Sequence, residues 1–213
     1  MYKDPYAHIY QKMEGFKILV LAPKNQILEG YLSFNPSTRS TYDIAMKDAT
    51  IDGLLTMDQI EEIRPGYIFY REKISNEKFI IQSINKIEFQ KDTKNISAIK
   101  QNCYITVQKK KYVEEENCDK FINEFEDLVA FVTMQNKDEK NFAAGIEDNT
   151  TITIQIPKRN LSKELINIEL EDRIVLSNLE KDFSKEIKVE SVNLFSVPGV
   201  IILYGTFDTR TGD

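Results

Sequence analysis

The stretch Thr151-Ile-Thr-Ile-Gln-Ile156 decides the class of fold, because polar and apolar residues alternate along it without interruption. Side chains of a β-strand point alternately to the two faces of a sheet, so this pattern predicts a strand with one buried and one exposed face. An amphipathic helix would instead place its apolar residues three or four positions apart. The fold should therefore contain a sheet that this strand joins.

Segments of similar character recur on both sides of this strand, separated by Asn, Ser, Gly and Pro. Residues 16–22 and 27–34 flank Pro23-Lys-Asn25 and are predicted to form a hairpin. Short strands at this spacing favour a barrel or sandwich over alternating strands and helices. The predicted fold class is mainly β, with two small β-barrel or β-sandwich units and few short helices. The other candidate strands are Tyr67–Tyr70, Lys78–Phe89, Cys103–Gln108, Arg173–Leu176, Glu186–Val192 and Val200–Tyr204.

Two segments have helical character. Thr56-Met-Asp-Gln59 resembles a capping box, and the following Pro65-Gly66 would end that helix within two turns. In the second segment, Asn117 or Asp119 would cap a helix, and the residues from Leu128 onward fit a strand equally well. The apolar face of that second helix would consist of Phe121, Phe125, Leu128, Val129 and Val132.

An approximate internal repeat divides the chain into two halves. Gly66–Tyr70 followed by Lys78–Ile84 matches Asp172–Leu176 followed by Glu186–Val192 in order and spacing. The match reflects either a duplication or the general similarity of β-hairpins, and the sequence leaves both open. The predicted domains are a first β-rich unit at 1–110, a charged linker at 111–120 and a second β-rich unit at 121–213. The linker is suggested by the charge block of Lys109–Lys111 and Glu114–Glu116.

Composition and charge restrict the possible functions. The 213 residues are 41% hydrophobic, which is enough for a packed core. The net charge is −6, and a protein that grips phosphate backbones would need a basic face. No apolar run has the length of a membrane span, and the N-terminal residues lack an apolar signal region. We therefore expect a soluble, cytoplasmic protein.

The sequence contains no pattern typical of a catalytic or metal site. The only histidine is His8, and a Ser or Cys nucleophile usually needs a histidine base. Cys103 and Cys118 are too few for zinc, which takes about four N or S ligands, and are predicted to be thiols. Glycine-rich phosphate loops are not found. We predict that the chain is not an enzyme and has no cofactor and no metal.

Acidic residues are numerous, but they occur in runs, which is typical of a solvated face. A hydrolase that uses the Glu169, Glu171 and Asp172 cluster is one alternative, because paired carboxylates catalyse glycoside hydrolysis. Residues 147–149 and 208–213 resemble calcium loops only loosely, since neither follows the spacing of a known loop.

One polar loop between predicted strands is a candidate channel or partner loop, because loops on rigid β scaffolds often carry function. A plain surface turn is the alternative. The loop consists of Asn35, Pro36, Ser37, Thr38, Arg39, Ser40 and Thr41.

Three stretches resemble proteins of the neck of tailed bacteriophages, the head-completion or head–tail connector class. Pro65–Tyr70, continued by Lys78–Ile84, is similar to the connector pattern "Gly-Asp-x-Ile-x-Tyr … Tyr-x-Ile-x-Ser-Val". The other two stretches are Gly30–Thr38 with the extended segment Thr41–Met46, and Ile152–Pro157 with Leu170–Leu176 and Lys188–Val192. The last set is similar to the "Ile-Tyr-Val-Pro … Gly-Asp-Arg-Ile-Val" pattern of small phage structural proteins.

The resemblance implies a virion structural protein that is assembled in the host cytoplasm as a homo-oligomeric, stopper-like ring. Such a ring lies between the capsid portal or adaptor and the tail, and it lines or gates the DNA channel. The implied partners are portal, adaptor and tail proteins, with double-stranded DNA passing without sequence-specific contact and no membrane involved. An acidic channel would let DNA slide, in agreement with the net charge.

The predicted pair of units differs from simple stoppers, which have one, and this leaves the layer of the particle open. Another phage component, such as a tail terminator or baseplate protein, is an alternative. A nucleic-acid-binding β-barrel of the OB type is a further one.

Overall fold

The computed structural model describes residues 17–22, 26–29, 35–36, 50–56, 64–71, 74–86, 93–135, 151–159 and 165–210. All regular elements within these ranges are strands, which confirms the prediction of a mainly β fold. Of the short helix predicted from Thr56, that residue ends a strand, and residues 57–63 lie outside the described ranges. The strands are β1 (Lys17–Ala22), β2 (Gln26–Glu29), β3 (Asn35–Pro36), β4 (Thr50–Thr56), β5 (Ile68–Arg71), β6 (Ile74–Lys86), β7 (Thr93–Lys100), β8 (Cys103–Val113), β9 (Cys118–Gln135), β10 (Thr151–Pro157), β11 (Arg173–Ser177), β12 (Ser184–Asn193) and β13 (Val200–Phe207).

The chain forms two compact units. The first comprises Met1–Gln101, Pro157–Leu165 and Val197–Val200, and the second comprises Asn102–Ile156, Ile166–Ser196 and Ile201–Asp213. Two β units were predicted, but the boundary lies at 101–102. Short segments of the second half of the chain complete the first unit, which linear composition gives no means to detect.

Residues 111–120, predicted as a linker, lie inside the second unit as the end of the β8–β9 hairpin. Lys111 pairs with Lys120 and Val113 with Cys118, so the two strands run to the turn. Two of the lysines that suggested a solvated linker pair across the strands, Lys110 Nζ with Asp119 Oδ2 at 2.8 Å and Lys111 Nζ with Glu124 Oε2 at 3.1 Å. Cross-strand charge pairs of this kind stabilise a hairpin that has no core of its own.

The helix predicted from Asn117 or Asp119 is wrong, because residues 118–135 form the long strand β9. Two irregularities interrupt its pairing with β8, one between Ile105 and Val107 and one between Val107 and Gln108. A bulge changes which face the next side chain occupies. The alternation of β9 is therefore broken, and its apolar residues adopt a spacing that imitates a helical face.

The second unit is a closed six-stranded barrel in the order β10-β13-β12-β11-β8-β9. Residues at alternate positions of each strand point inward and fill the interior of the barrel, as closure requires. The alternating stretch 151–156 supplies Ile152, Ile154 and Ile156 to this interior. The other core residues include Ile105, Val107, Leu128, Ala130, Ile174, Leu176, Ile187, Val189, Ile201 and Leu203.

The first unit contains a seven-stranded sheet in the order β2-β1-β5-β6-β7-β4-β3. Its described core includes Phe69 and Phe79, which are cross-strand partners with ring centroids 5.2 Å apart. Strands β4 and β7 were not predicted. Their sequences, Thr50–Thr56 and Thr93–Lys100, contain Gly, Asp, Asn and Ser, which are uncommon in strands. The two strands pair with each other over seven residues, and this pairing supports both.

The two units share one strand order. Around the closed barrel, neighbouring strands follow the order β8, β11, β12, β13, β10 and β9, and β9 returns to β8. In the first sheet, the corresponding places are occupied by β1, β5, β6, β7 and β4 in the same order. Strands β2 and β3 lie at the two edges of the first sheet. In the barrel, β9 pairs with both β8 and β10, so this single strand takes the places that β2 and β3 have in the first sheet.

The repeat seen in the sequence is one structural element present twice. The N–H of Gly66 donates to Ile81 O at 2.7 Å, and the N–H of Glu171 donates to Val189 O at 3.2 Å in the corresponding place. Gly66 and Glu171 both have positive φ angles, 85° and 72°. In the structure Gly66 therefore corresponds to Glu171. The sequence alignment had matched Gly66 with Asp172, so the first strand of the repeat is shifted by one residue from that alignment.

The second strand of the repeat keeps the register that the sequence predicted. Pairing of β6 with β7 shifts between Ile81 and Ser83, and pairing of β12 with β13 shifts between Val189 and Ser191. These bulges fall at aligned positions. A shared turn, a shared bulge and a shared strand order favour duplication over the chance similarity of two hairpins.

Candidate assembly surfaces

The predicted channel or partner loop is only partly within the described residues. Asn35 and Pro36 form β3, where they pair with Asp52 and Ile51 of β4. Ser37, Thr38, Arg39, Ser40 and Thr41 lie outside the described residues, as do His8, Thr41–Met46 and residues 147–149. The role of this loop therefore stays a prediction.

The carboxylates proposed for a hydrolase have structural partners. Asp172 Oδ2 accepts a hydrogen bond from Glu169 N at 2.8 Å within its own turn. Glu171 pairs with Lys188 Nζ at 3.1 Å, and Glu169 with Lys109 Nζ at 3.5 Å. Burial raises the pKa of Asp172, whereas the bond from Glu169 N and the charge of Lys109 oppose that rise. These contacts explain the cluster as part of the repeat turn.

Both cysteines lie in the described part of the chain, and both are thiols. Cys103 pairs with Ala130 at one end of the β8–β9 ladder, and Cys118 pairs with Val113 at the other end. Ten residues of strand separate the two positions, or roughly 33 Å, which is far too long for a disulfide. Burial raises the pKa of the Cys103 thiol to about 12.

We expect Cys118 to react with iodoacetamide in the native protein well before Cys103. Thiolate is the reactive species, and Cys103 is both buried and held as the thiol. Mass spectrometry of tryptic peptides after timed labelling at pH 8 would measure the two rates, with labelling in urea as the control. Equal native rates would contradict the burial of Cys103.

A cluster of charges lies on the outer face of the barrel, around Arg173. Arg173 begins β11, and its side chain is 5% exposed. Its Nε donates to Asp208 Oδ2 at 2.9 Å, its Nη1 lies 3.3 Å from Glu186 Oε2, and its Nη2 donates to Arg210 O at 2.9 Å. The guanidinium stacks over the Phe121 ring at 3.8 Å. We call these residues, with Glu171, the Arg173 cluster.

Asp208 is the anion at the centre of the Arg173 cluster, and its side chain is fully buried. Arg210 approaches it with Nε at 2.8 Å from Oδ1 and with Nη2 at 2.7 Å from Oδ2. Burial alone would raise the pKa of Asp208, but hydrogen bonds from Arg210 and Arg173 outweigh it and hold the pKa well below its usual range. Arg210 also donates to Glu171 O, so the segment after β13 is fastened to the repeat turn.

The Arg173 cluster changes the interpretation of two sequence features. The arginine of the stretch Leu170–Leu176, which carries part of the family resemblance, is a structural residue beneath the C-terminal segment. The Asp208 carboxylate, suggested as a loose calcium ligand, has both oxygens bound by guanidinium groups. This arrangement binds the outer face of the barrel together and leaves these oxygens no room for a cation.

A two-stranded ribbon extends beyond the barrel wall. Pairing of β8 with β11 covers Tyr104–Gln108, so residues 109–113 pair with β9 alone. Lysines of the ribbon pair with acidic neighbours, including Lys111 Nζ with Glu124 Oε2 at 3.1 Å. Lys109 pairs with Glu169, outside the ribbon, so each lysine of the run 109–111 has an acidic partner. These partners weaken the main sequence feature that suggested nucleic-acid binding.

The loop that follows β12 presents an aromatic ring to solvent. Phe195 is 91% exposed, the largest value among the exposed apolar residues of the described chain. Asn193 organises the loop, because its Oδ1 accepts from Phe195 N at 3.0 Å and from Ser196 N at 3.1 Å. Asn193 Nδ2 also donates to Ser196 Oγ at 2.7 Å. We call residues 193–196 the Phe195 loop.

A second apolar surface lies at the opposite end of β12. Three exposed apolar residues mark that end: Leu179 and Phe183 in the β11–β12 turn, and Phe207, whose strand partner is Ile187 of β12. Asn178 organises this turn through hydrogen bonds with the backbone of Phe183 in both directions. Lys185 Nζ lies 5.6 Å from the centroid of the Phe183 ring. We call Leu179, Phe183 and Phe207 the Phe183 patch.

No sequence motif marks either surface. A usable signal was present, since residues 191–207 contain no Asp, Glu, Lys or Arg in a chain that is 29% charged. About half of that segment is the strand β13, and the pattern does not reveal that Phe195 lies outside it. Only the hairpin geometry separates the buried residues from the exposed ring.

Within the described ranges, no group of three or more His, Cys, Asp or Glu residues is arranged to hold a metal ion. No helix in the same part of the chain has the length and apolar character to cross a membrane. No protein-family model, curated protein sequence or solved structure matches the chain. The surfaces described above are therefore the basis for a functional proposal.

Proposed function

We propose that this chain is a structural protein of the neck of a tailed bacteriophage, forming a ring between the portal or adaptor and the tail. One observation carries the proposal. The stretches that resemble connector proteins, 65–84 and 170–192, form the same turn, hairpin and bulge in two units of one strand order. The resemblance is thus attached to a supersecondary structure and not to scattered residues.

The surfaces of the second unit suit a subunit of an assembly. Both ends of its barrel expose large apolar side chains, and the ribbon extends beyond the wall. Exposed aromatic residues that a rigid scaffold holds in place are typical anchors of protein–protein contacts. The net charge of −6 per subunit, repeated around a ring, would make the channel acidic, so that it would repel the DNA inside it and not bind it.

The rival OB-type barrel receives less support. An OB fold has five strands, whereas this barrel has six. Single-stranded DNA binding also relies on a positively charged groove beside aromatic residues. The lysines of the ribbon are paired with acidic residues, and the Phe195 loop has no charge.

The test is an assembly experiment with the full chain. Mass photometry should detect a closed oligomer at a multiple of the 24.7 kDa chain mass, and negative-stain images should show rings. Antibody labelling of particles of the phage that encodes the chain should mark the neck. A chain that is monomeric and missing from the particles, or that binds single-stranded DNA in a salt-sensitive manner, would refute the proposal.

A further inference from the structure

The Asn193 side chain holds the Phe195 loop in place, because its Oδ1 accepts from the backbone N–H groups of Phe195 and Ser196 and its Nδ2 donates to Ser196 Oγ. Leaving a phenylalanine ring in water is unfavourable, since burying such a side chain is worth about 2 kcal/mol. A rigid loop also loses little conformational entropy when it is bound. Its geometry is that of an interface anchor.

The partner of the Phe195 loop should be uncharged and apolar. Residues 191–207 carry no charge, so the loop offers nothing to phosphates or to anionic lipid headgroups, which are bound through Lys and Arg. Aromatic rings, by contrast, pair well with other rings and with nearby cations. The expected partner surface is one with exposed aliphatic and aromatic side chains.

The chain itself carries such a surface. The Phe183 patch exposes one leucine and two phenylalanines, and Lys185 lies beside the Phe183 ring. The patch and the Phe195 loop are at opposite ends of β12, which runs from Ser184 to Asn193, roughly 30 Å apart along the strand. They cannot meet within one barrel, but the loop of one copy can reach the patch of the next.

We propose that the Phe195 loop of one subunit docks on the Phe183 patch of a second copy of this chain. This inference rests on the proposed ring and identifies the contact between its subunits. Two different surfaces at opposite ends of one barrel make a heterologous contact, and such a contact generates a ring where the rotation between successive copies closes. If the Phe195 loop instead contacted the Phe195 loop of a second copy, the result would be a symmetric dimer.

The test uses two charge substitutions in the full chain, Phe195→Asp and Phe183→Asp, studied by mass photometry over the micromolar range. Each ring is exposed, so neither variant should disturb the fold, which circular dichroism and thermal melting would verify. Each variant alone should be monomeric. An equimolar mixture should form dimers and nothing larger, because only one intact loop and one intact patch can meet. Leu165→Asp, at an exposed leucine outside both surfaces, should assemble like the wild type.

The outcomes separate this inference from the proposed function. If the wild-type chain forms rings and Phe195→Asp does so equally, the docking contact is wrong while the ring survives. If Phe195→Asp is monomeric but Phe183→Asp still assembles, the loop binds something other than the patch, and the inference is again refuted. If the wild-type chain stays monomeric throughout, both the contact and the ring fail.

Discussion

Replacement of Gly199 by alanine should destabilise the first unit by about 3 kcal/mol or more. Gly199 has a φ of 76°, and a Cβ at this position would lie 2.1 Å from Pro65 O. A backbone carbonyl cannot move aside in the way that a flexible side chain can. The substitution therefore combines a disfavoured backbone conformation with a clash that only displacement of the repeat turn would relieve.

Gly66 faces the same contact from the other side. Its φ is 85°, and a Cβ there would lie 2.1 Å from Gly199 O. Gly66→Ala should thus have an effect similar to that of Gly199→Ala. The double variant should lose less stability than the two single variants together, because either substitution alone already separates the two backbones.

Hydrogen exchange measured by mass spectrometry, peptide by peptide, would locate the effect. Peptides that contain Phe79–Ile81 should lose protection in both glycine variants, since these residues form the core of the first unit. Pro198→Ala is the matched control, because it changes an exposed neighbour and should cost less than about 1 kcal/mol. Glycine variants as stable as this control would show that the two backbones do not meet.

The second large effect is expected at Asp208. Asp208→Ala should destabilise the barrel by about 3 to 5 kcal/mol, because it leaves the buried guanidinium of Arg173 without its main anion. Glu186 would remain within 3.3 Å of Arg173, but its side chain is about half exposed and compensates poorly. Urea unfolding, followed through hydrogen exchange of peptides from β11 to β13, would measure the loss.

The pH dependence should follow from the same residue. The pKa of Asp208 is held below its usual value in the folded protein, so the folded state favours the carboxylate. Its stabilisation should be complete above the pKa of an unfolded aspartate, about 4, and should decrease as the pH falls below that value. The Asp208→Ala variant should lose this component of acid sensitivity.

Asp119→Ala is the matched control for Asp208→Ala. Asp119 also pairs with a cation, Lys110, at 2.8 Å, but both side chains are about half exposed. Exposed pairs contribute about 0 to 1 kcal/mol, so this variant should unfold close to the wild type. Similar effects of the two substitutions would mean that Asp208 is not buried beneath Arg173 and Arg210.

Much of the fold was predicted from the alternation of apolar and polar residues within short segments. Every strand predicted in the second half of the chain is present, including Arg173–Leu176 and Val200–Tyr204 within longer strands. The second strand of the repeat aligns in register with its counterpart. These successes come from local information, since a half-buried strand shows its two faces in its own sequence.

The candidate surfaces were much less accessible to prediction. The loop 35–41 was chosen from its polarity. The Phe195 loop precedes the apolar strand β13, so in the sequence its exposed ring resembles another core residue. Arg173 looked like a motif residue, and its role depends on Asp208 and Arg210, which follow it by more than thirty positions. Long-range partners leave no periodic pattern in the sequence.

By itself, the sequence determined that the chain would bury its alternating residues in sheets, that two units would result, and that one hairpin would recur. The tertiary structure alone decided where the units divide, that β9 is a strand, and which apolar side chains remain outside. The physical reason is that alternation is a property of neighbouring residues. Closure of the barrel, the approach of Gly66 to Gly199 and the exposure of Phe195 depend on segments that meet only after folding.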